Sequence, residues 1–140
     1  MRFWDSSAVL PLALREPQSD AMASLLREDP DVVLWWGTPV ESVSALARAV
    51  REARLESTVE RSGRRVVEAL RERAFEVQPS EEVRRRAIRL LGVHPLRAAD
   101  ALQLAAALVW CRERPSHAGF VCLDARLATA ATREGFDVLP

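Results

Sequence analysis

The stretch His94–Val109, with the sequence HPLRAADALQLAAALV, decides how the chain folds. From Ala98 to Trp110 every position is apolar except Asp100 and Gln103, and a helix that is apolar nearly all round is a buried helix. The proline that follows His94 favours a helix beginning just after it. Asp100 then lies near the first turn, where exposed amides favour a carboxylate. It either serves only that electrostatic role or lines a polar pocket at the helix end.

The composition predicts one globular domain that spans residues 1–140. Hydrophobic residues make up 49% of the chain and charged residues 29%, which are ordinary values for a soluble protein. Twenty basic residues, all of them arginine, balance twenty acids, so the formal net charge is zero. A nucleic-acid site therefore has to be a local patch, and each arginine offers a planar fork suited to phosphate.

The cysteines and the hydropathy pattern bear on location. Cys111 and Cys122 lack the spacing of a metal or redox motif, and we expect reduced core thiols, as in a cytoplasmic protein. No basic and apolar leader opens the sequence, and no apolar run reaches 18 residues. We expect neither secretion by a visible signal nor a membrane span.

Short apolar runs alternate with helical patterns along the whole chain. The predicted strands are Met1–Asp5, Val32–Trp36, Phe75–Val77, Phe120–Leu123 and Phe136–Leu139. The helices with predicted bounds are Gln18–Glu28, Leu55–Arg73, Glu81–Leu91, Ala98–Trp110 and Ala125–Glu134. This alternation predicts an α/β fold with a central, mainly parallel five-stranded sheet and helices on both faces.

Capping residues and glycines predict the helix ends. Thr38 is the predicted N-cap of the helix after the second strand, with Pro39 in its first turn and Glu41 as the reciprocal partner in a capping box. Gly63 is the weak point of the next helix, which is either continuous or broken into a pair. Gly92 is predicted to end the helix before the buried one.

Four acids map to one rim of the predicted sheet. Asp5 and Asp124 end strands, Glu41 follows a strand, and Asp100 opens the buried helix. Taken singly, each of the first three is better explained as a helix cap. Carboxylates gathered in one crevice repel each other unless a cation neutralises them. Without a histidine or cysteine cluster that cation would be Mg²⁺ or Mn²⁺, which points to phosphodiester chemistry. No P-loop, GxGxxG or GxSxG motif indicates another chemistry.

Four motifs resemble those of PIN-domain proteins, specifically the VapC-type toxin ribonucleases. They are FWDSSAV, TPVESVSAL, LRAADALQLAAA and FVCLDARL. The resemblance covers essentially the whole chain, and its most specific part is Arg97–Ala106. It implies a three-layer α/β/α PIN-like fold and an endoribonuclease that depends on Mg²⁺ or Mn²⁺. It also implies an active site of four acids, which are Asp5, Glu41, Asp100 and Asp124.

The resemblance further implies roles and partners. In the hypothesis, Asp5, Asp100 and Asp124 hold one or two ions, and Glu41 positions an ion or accepts a proton from the attacking water. Ser7 matches the small hydroxyl residue that often follows the first acid in this family, and we predict that it contacts the substrate. Many relatives have threonine where this chain has a cysteine, two residues before the last acid. The implied partners are RNA, a second copy of the chain and a cognate antitoxin whose tail occupies the active-site groove.

Other residues have weaker assignments. Arg97 either contacts phosphate or pairs with the acids. Four arginines on the predicted helix Glu81–Leu91 are expected to form a solvated face rather than an RNA contact. They are Arg84, Arg85, Arg86 and Arg89. Trp35 and Trp36 are predicted to be core residues rather than base-stacking platforms. His94 and His117 are not assigned to catalysis.

Two other functions stay open at this point. The chain could be a PIN nuclease of RNA maturation, or a catalytically silent PIN-fold domain that binds a partner. The small size and the lack of extra domains favour the toxin. Retention of all four acids argues against the silent domain. Thermal unfolding with and without Mn²⁺ distinguishes the two, because a metal site should raise the melting temperature and a silent domain should not respond.

Overall fold

Five short strands form one sheet at the centre of the protein, whose computed structural model describes all residues 1–140. The strands are β1 (Arg2–Trp4), β2 (Val32–Trp35), β3 (Phe75–Val77), β4 (Gly119–Val121) and β5 (Asp137–Leu139). Their order in the sheet is β3-β2-β1-β4-β5. Every neighbouring pair is parallel, so the sheet predicted to be mainly parallel is wholly parallel.

Seven helices connect the strands. They are α1 (Ser6–Ala13), α2 (Ser19–Glu28), α3 (Thr38–Arg51), α4 (Ser57–Arg73), α5 (Glu81–Val93), α6 (Ala98–Trp110) and α7 (Ala125–Glu134). The ranges of α6 and α7 match the predicted ones to the residue. A single 3₁₀ turn, Pro115–His117, lies in the polar connector before β4. None of the helices combines the length and apolar character that a membrane span needs.

The helices cover both faces of the sheet, which confirms the three-layer α/β/α architecture. Side chains alternate along each strand. Phe3 and Phe120 point to the layer of α5, α6 and α7, where their rings stack with centroids 5.3 Å apart. Trp4 and Val121 point to the opposite layer, where they pack with residues of α1, α2 and α4. Helix α3 packs on α1 and α4 in that layer.

Helix α6 is the most deeply buried helix of its layer. Its buried residues are Ala101, Gln103, Leu104, Ala105, Ala106, Ala107 and Leu108. The alanines leave room for close approach to α5 and to the sheet, and Trp110 at the end of the helix reaches the ring of Phe3 at a centroid distance of 6.4 Å. The helix predicted from its apolar composition is therefore a core element.

Two predicted helix boundaries are wrong. The N-cap of α3 is Gly37 rather than Thr38, and no side chain caps this helix. Thr38 lies inside the helix and is fully buried, so the predicted capping box with Glu41 does not form. Gly92 lies within α5, which continues to Val93 and ends at His94. A glycine in the last turn therefore does not stop this helix.

Gly63 is not a weak point, because α4 is continuous through it. The glycine is buried against α3, where an added Cβ would lie 3.2 Å from Cδ1 of Leu46. The missing side chain is what allows the two helices to approach closely. Gly135, by contrast, ends α7 as predicted, with a φ of 100° that favours glycine.

The predictions for the tryptophans and cysteines are only partly confirmed. Trp35 is 6% exposed, as expected of a core residue, but Trp36 is 50% exposed, so its assignment to the core is wrong. Both cysteines are free, yet Cys111 follows the last turn of α6 and is only partly buried. Cys122 is buried just after β4 rather than within it.

Candidate active site

The four acids predicted from the sequence line one pocket, which opens beyond the carboxyl ends of β1 and β4. The chain proceeds from β1 outward to β2 and β3, and β4 then returns to the other side of β1. Such a reversal of strand order leaves a crevice where ligands bind in parallel sheets. The pocket has a volume of about 460 Å³. Its lining is Asp5, Ser6, Ser7, Leu10, Val40, Glu41, Ser44, Ala45, Arg48, Ala99, Asp100 and Asp124.

Asp5 lies at the floor of this pocket and is 4% exposed. Its main-chain N–H donates to Val121 O at 3.0 Å, and its Oδ2 accepts from the N–H of Ser7 at 2.9 Å, so the residue also caps α1. Burial raises the pKa of this carboxyl, and the negative charge of Asp100 adds to the rise. The two carboxylates are thus close enough to repel each other.

Glu41 reaches the pocket from the first turn of α3. Its Oε2 accepts hydrogen bonds from Ser6 Oγ at 3.2 Å and from Gln103 Nε2 at 3.3 Å. Burial raises the pKa of Glu41 to about 7, although both hydrogen bonds favour the ionised form, and the charges of Asp5 and Asp100 raise it further. Glu41 is therefore a carboxyl that exchanges a proton near neutral pH.

Gln103 is a residue of the site that the sequence did not assign. Its side chain is fully buried in α6, with Nε2 3.1 Å from Thr38 Oγ1 and the amide oxygen 3.2 Å from the same hydroxyl. Gln103 and Thr38 satisfy each other in the core, and the amide extends that pair to Glu41. The sequence could have identified Gln103, because it is the only polar residue of α6 apart from Asp100.

Asp100 and Asp124 complete the acidic lining from two helix starts. Asp100 Oδ2 accepts from the N–H of Arg97 at 3.1 Å. Asp124 Oδ1 accepts from the N–H groups of Arg126 and Leu127 at 2.9 and 2.8 Å, which caps α7. The capping role and the pocket role therefore coexist in the same side chains.

Each of the four acids keeps one oxygen free of hydrogen bonds to the protein. The bonded oxygens are Oδ2 of Asp5, Oε2 of Glu41, Oδ2 of Asp100 and Oδ1 of Asp124. The second oxygen of each carboxylate has no partner in the protein. One half of each carboxylate is thus held in place while the other half is available to a ligand.

Ser7 and Cys122 support the turn that carries Asp124. Ser7 Oγ accepts from the N–H groups of Leu123 and Asp124 at 2.9 and 3.2 Å. Cys122 Sγ lies 3.9 Å from Asp5 Oδ2 and 3.4 Å from the main-chain oxygen of Asp124. Burial raises the pKa of the Cys122 thiol to about 12, so it is not a nucleophile. Ser7 supplies a hydroxyl near the place where relatives are expected to have threonine.

Two arginines near the acids have different positions relative to the pocket. Arg97 is exposed, does not line the pocket and forms no ion pair with the acids, so the predicted pairing is absent. Its main-chain N–H holds Asp100, and contact of its side chain with phosphate stays a prediction. Arg48 does line the pocket and went unassigned. It lies seven residues after Glu41, or two turns along the same face of α3, which is the periodicity that could have identified it.

The pocket offers the oxygen donors that a hard divalent cation takes. No three His, Cys, Asp or Glu side chains already form a ready-made metal cluster. The four acids nevertheless line one pocket, and burial, with repulsion between the carboxylates adding to it, raises the pKa values of Asp5 and Glu41. A bound cation would offset that repulsion, so the donor set fits Mg²⁺ or Mn²⁺.

Three of the four arginines in the α5 stripe pair with acids, and the fourth, Arg85, is exposed without an ion pair. Arg84 pairs with Glu81, and Arg86 pairs with Glu82 and Glu113. Arg89 pairs with Glu134 at 2.7 Å. These side chains are solvated ion pairs, which agrees with the expected solvated face.

Comparison with solved structures places the fold. VapC20 of Mycobacterium tuberculosis, a toxin that cleaves the sarcin-ricin loop, aligns with a TM-score of 0.67 and 16% identity over 93% of this chain and 95% of its own. FitAcB from Neisseria gonorrhoeae aligns with a TM-score of 0.68 and 16% identity over 100% and 97%. FitAB bound to the IR36 DNA fragment aligns with a TM-score of 0.64 and 18% identity over 99% and 94%.

These likenesses show that the chain has a VapC-type PIN fold along its whole length, as its motifs predict. No protein-family model matches the sequence, and no curated protein matches it. At 16 to 18% identity the likeness concerns the fold, and the chemistry has to be argued from the pocket.

Proposed function

We propose that this chain is a metal-dependent endoribonuclease that hydrolyses RNA phosphodiester bonds and acts as the toxin of a type II toxin–antitoxin pair. The observation that carries the proposal is the set of four carboxylates, each with one free oxygen, around a single pocket at the strand reversal. Such a set is costly in water and more so when partly buried, so it points to a cation and to a substrate that the cation binds.

The solved structures support the assignment as a toxin of a toxin–antitoxin pair. VapC20 is a toxin that cleaves an RNA loop, and FitAB is bound to DNA. The resemblance of the motifs to VapC-type toxins adds a cognate antitoxin and a homodimer. The free thiols of Cys111 and Cys122 fit a reducing cytoplasm, where RNA is found.

Asp5, Asp100, Asp124 and Glu41 are the residues that would hold Mg²⁺ or Mn²⁺. When bound, the metal would make hydroxide available from water and offset the charge that develops on the phosphate. The rigidity comes from the chain itself. Burial of α6 holds Asp100 still, and the cap hydrogen bonds fix one oxygen each of Asp5 and Asp124.

Glu41 is the residue suited to move a proton. Its Oε2 is fixed by Ser6 and Gln103, which leaves Oε1 free to accept a proton from the attacking water. In the metal-free protein the pKa of Glu41 is about 7, in the range where a general base exchanges protons near the working pH. Arg48, on the same wall of the pocket, is placed to contact a phosphate of the substrate.

Cleavage of a labelled single-stranded RNA in Mg²⁺ or Mn²⁺ tests the proposal. Asp100→Asn should lower the rate at least about 100-fold, the scale of losing a group that stabilises the transition state. Asp137→Asn, an exposed acid at the start of β5, should leave it unchanged. Cleavage by a folded Asp100→Asn protein at the wild-type rate would overturn the assignment of the pocket.

Thermal stability separates the nuclease from a silent interaction domain. Mn²⁺ should raise the melting temperature of the wild-type protein, because a ligand that binds only the folded state stabilises it. The Asp5→Asn, Asp100→Asn double variant should not respond. A wild-type protein that neither cleaves RNA nor responds to Mn²⁺ would support the silent domain.

A further inference from the structure

A second cavity lies between α7 and the loop that leads into α6. It has a volume of about 240 Å³. The lining residues are His94, Pro95, Arg126, Thr129, Ala130 and Arg133. Two chain segments at this cavity also hold acids of the acidic pocket. Arg126 follows Asp124 by two residues, and the loop after Pro95 carries the N–H that holds Asp100.

Two arginines give this cavity its charge. Arg126 and Arg133 are seven residues apart on α7, so they lie on the same face of the helix. Both are exposed, and neither takes part in any ion pair of the protein. No acid lines the cavity. The cavity therefore presents two unneutralised guanidinium groups.

His94 is built into the wall of the same cavity. Its side chain is 4% exposed, and Nε2 lies 2.8 Å from Glu134 Oε1. Its Nδ1 has no hydrogen-bond partner in the protein. The contact with Glu134 fixes the ring in this wall, and Nδ1 is enclosed in the protein rather than open to the cavity.

Glu134, the nearest acid to this wall, does not neutralise the arginines of the cavity. Arg89 reaches both of its oxygens, with Nη2 2.7 Å from Oε2 and Nη1 3.4 Å from Oε1. With His94 on Oε1 as well, the carboxylate is fully engaged. These contacts hold the pKa of Glu134 below its usual value, against the effect of burial. The positive charge of Arg126 and Arg133 is left for a ligand.

We propose that this cavity binds a phosphate group of the RNA backbone, at a nucleotide beside the one cleaved. The proposal rests on the proposed function for the identity of the ligand. Guanidinium forks bind phosphate oxygens in pairs, and the cavity offers two of them on one helix face. Arg126 links the two sites, because its main-chain N–H holds Asp124 while its side chain lines the cavity.

The cavity also gives a chain without net positive charge a local, positively charged site for RNA. Three arginines of the α5 stripe, Arg84, Arg86 and Arg89, are engaged by glutamates. Arg126 and Arg133 are free of ion pairs, and Arg126 follows the pocket acid Asp124 by two residues. A phosphate held there would set the register of the strand across the acidic pocket.

Binding of a labelled single-stranded RNA in EDTA, over a series of salt concentrations, tests the proposal without cleavage. Arg126→Gln and Arg133→Gln should each weaken binding about ten-fold, the effect expected from losing a charged hydrogen bond. Each should also lower the slope of log affinity against log salt by about 0.7, as for one phosphate contact to a single strand. Arg65→Gln, an exposed and unpaired arginine on α4, is the matched control and should change the affinity little.

Inorganic phosphate distinguishes the source of the anion. Phosphate should compete with RNA and raise the melting temperature of the wild-type protein but not of the Arg126→Gln, Arg133→Gln double variant. If phosphate stabilises only the wild-type protein while RNA affinity is equal in both, the ligand is a free anion and the RNA assignment is wrong. If neither RNA nor phosphate distinguishes the variants, the cavity is not an anion site.

The same measurements separate this proposal from the proposed function. A wild-type protein that binds RNA through Arg126 and Arg133 but does not cleave it would refute the nuclease and leave the phosphate site standing. A protein that cleaves RNA in a metal-dependent way, with unchanged affinity and salt slope in the double variant, would refute the phosphate site alone.

Discussion

Gln103 Nε2 donates a hydrogen bond to Glu41 Oε2 at 3.3 Å and so joins the buried helix α6 to the acidic pocket across 62 residues of sequence. The same amide nitrogen lies 3.1 Å from the buried hydroxyl of Thr38. The carboxylate of Glu41 is therefore oriented by the protein core rather than by solvent.

Gln103→Met should destabilise the protein and slow RNA cleavage. Methionine has a similar length but leaves the Thr38 hydroxyl without its partner and Glu41 with only the hydrogen bond from Ser6, which costs about 1–3 kcal/mol for a buried polar group. Urea unfolding and the turnover number kcat measure the two effects. Gln78→Met, at an exposed glutamine, is the control and should show neither. A Gln103→Met protein with wild-type stability would mean that the amide is not a positioning residue.

Glu41→Gln should flatten the dependence of stability on pH in the metal-free protein. Burial raises the pKa of Glu41 from the ordinary 4.5 to about 7, so the folded state binds a proton that the unfolded chain releases. The stability this contributes is complete below pH 4.5 and is lost as the pH rises through 7. Unfolding free energies between pH 4 and 8 in EDTA should fall less in the variant.

The variant should keep part of the slope, because burial also raises the pKa of Asp5. Glu72→Gln, at an exposed glutamate on α4, is the control and should follow the wild-type curve. A Glu41→Gln curve parallel to that of the wild type would show that this carboxyl titrates as in the unfolded chain.

Ser7→Ala should loosen the turn that carries Asp124. The hydroxyl accepts from two main-chain N–H groups, those of Leu123 and Asp124, and its loss leaves both without that acceptor. We expect a loss of about 1–3 kcal/mol in unfolding free energy. Faster hydrogen exchange at those two amides is the local measurement. Ser116→Ala, whose hydroxyl makes no hydrogen bond in the protein, should change neither quantity.

Gly92→Ala and Gly63→Leu should shift stability in opposite directions. Gly92 lies in α5 with nothing within 4 Å of an added Cβ, so alanine should stabilise by about 0.5–1 kcal/mol through helix propensity. At Gly63 an added Cβ already lies 3.2 Å from Leu46. Leucine there should destabilise by about 1–3 kcal/mol through overpacking. Urea midpoints measure both, and a stable Gly63→Leu protein would show that α3 and α4 can separate.

Local patterns in the sequence were enough for much of the fold and for the candidate acids. The apolar run of α6 and the cap and glycine around α7 predicted both helices to the residue. The placement of an acid after each of two parallel strands predicted one rim, and Asp5, Glu41, Asp100 and Asp124 all line one pocket there. These inferences hold because helix and strand periodicity depend on near neighbours in the chain.

Other features depended on partners far along the chain. Thr38 was predicted as a cap from its neighbours, but Gln103, 65 residues away, makes it a buried partner instead. Gly63 would weaken an isolated helix, yet its contact with Leu46 makes it a packing site. Trp36 follows a buried strand but lies beyond the layer that covers it, so it is exposed.

The sequence by itself determined the buried helix, the parallel sheet and the types of side chain near the crevice, because hydrophobic burial and helix capping act over a few residues. Only the tertiary structure decided which oxygen of each acid is free, which carboxyl has its pKa raised, and which arginines have no acid to pair with. Those properties follow from distances between groups that are remote in sequence, since electrostatic and hydrogen-bond energies depend on separation in space.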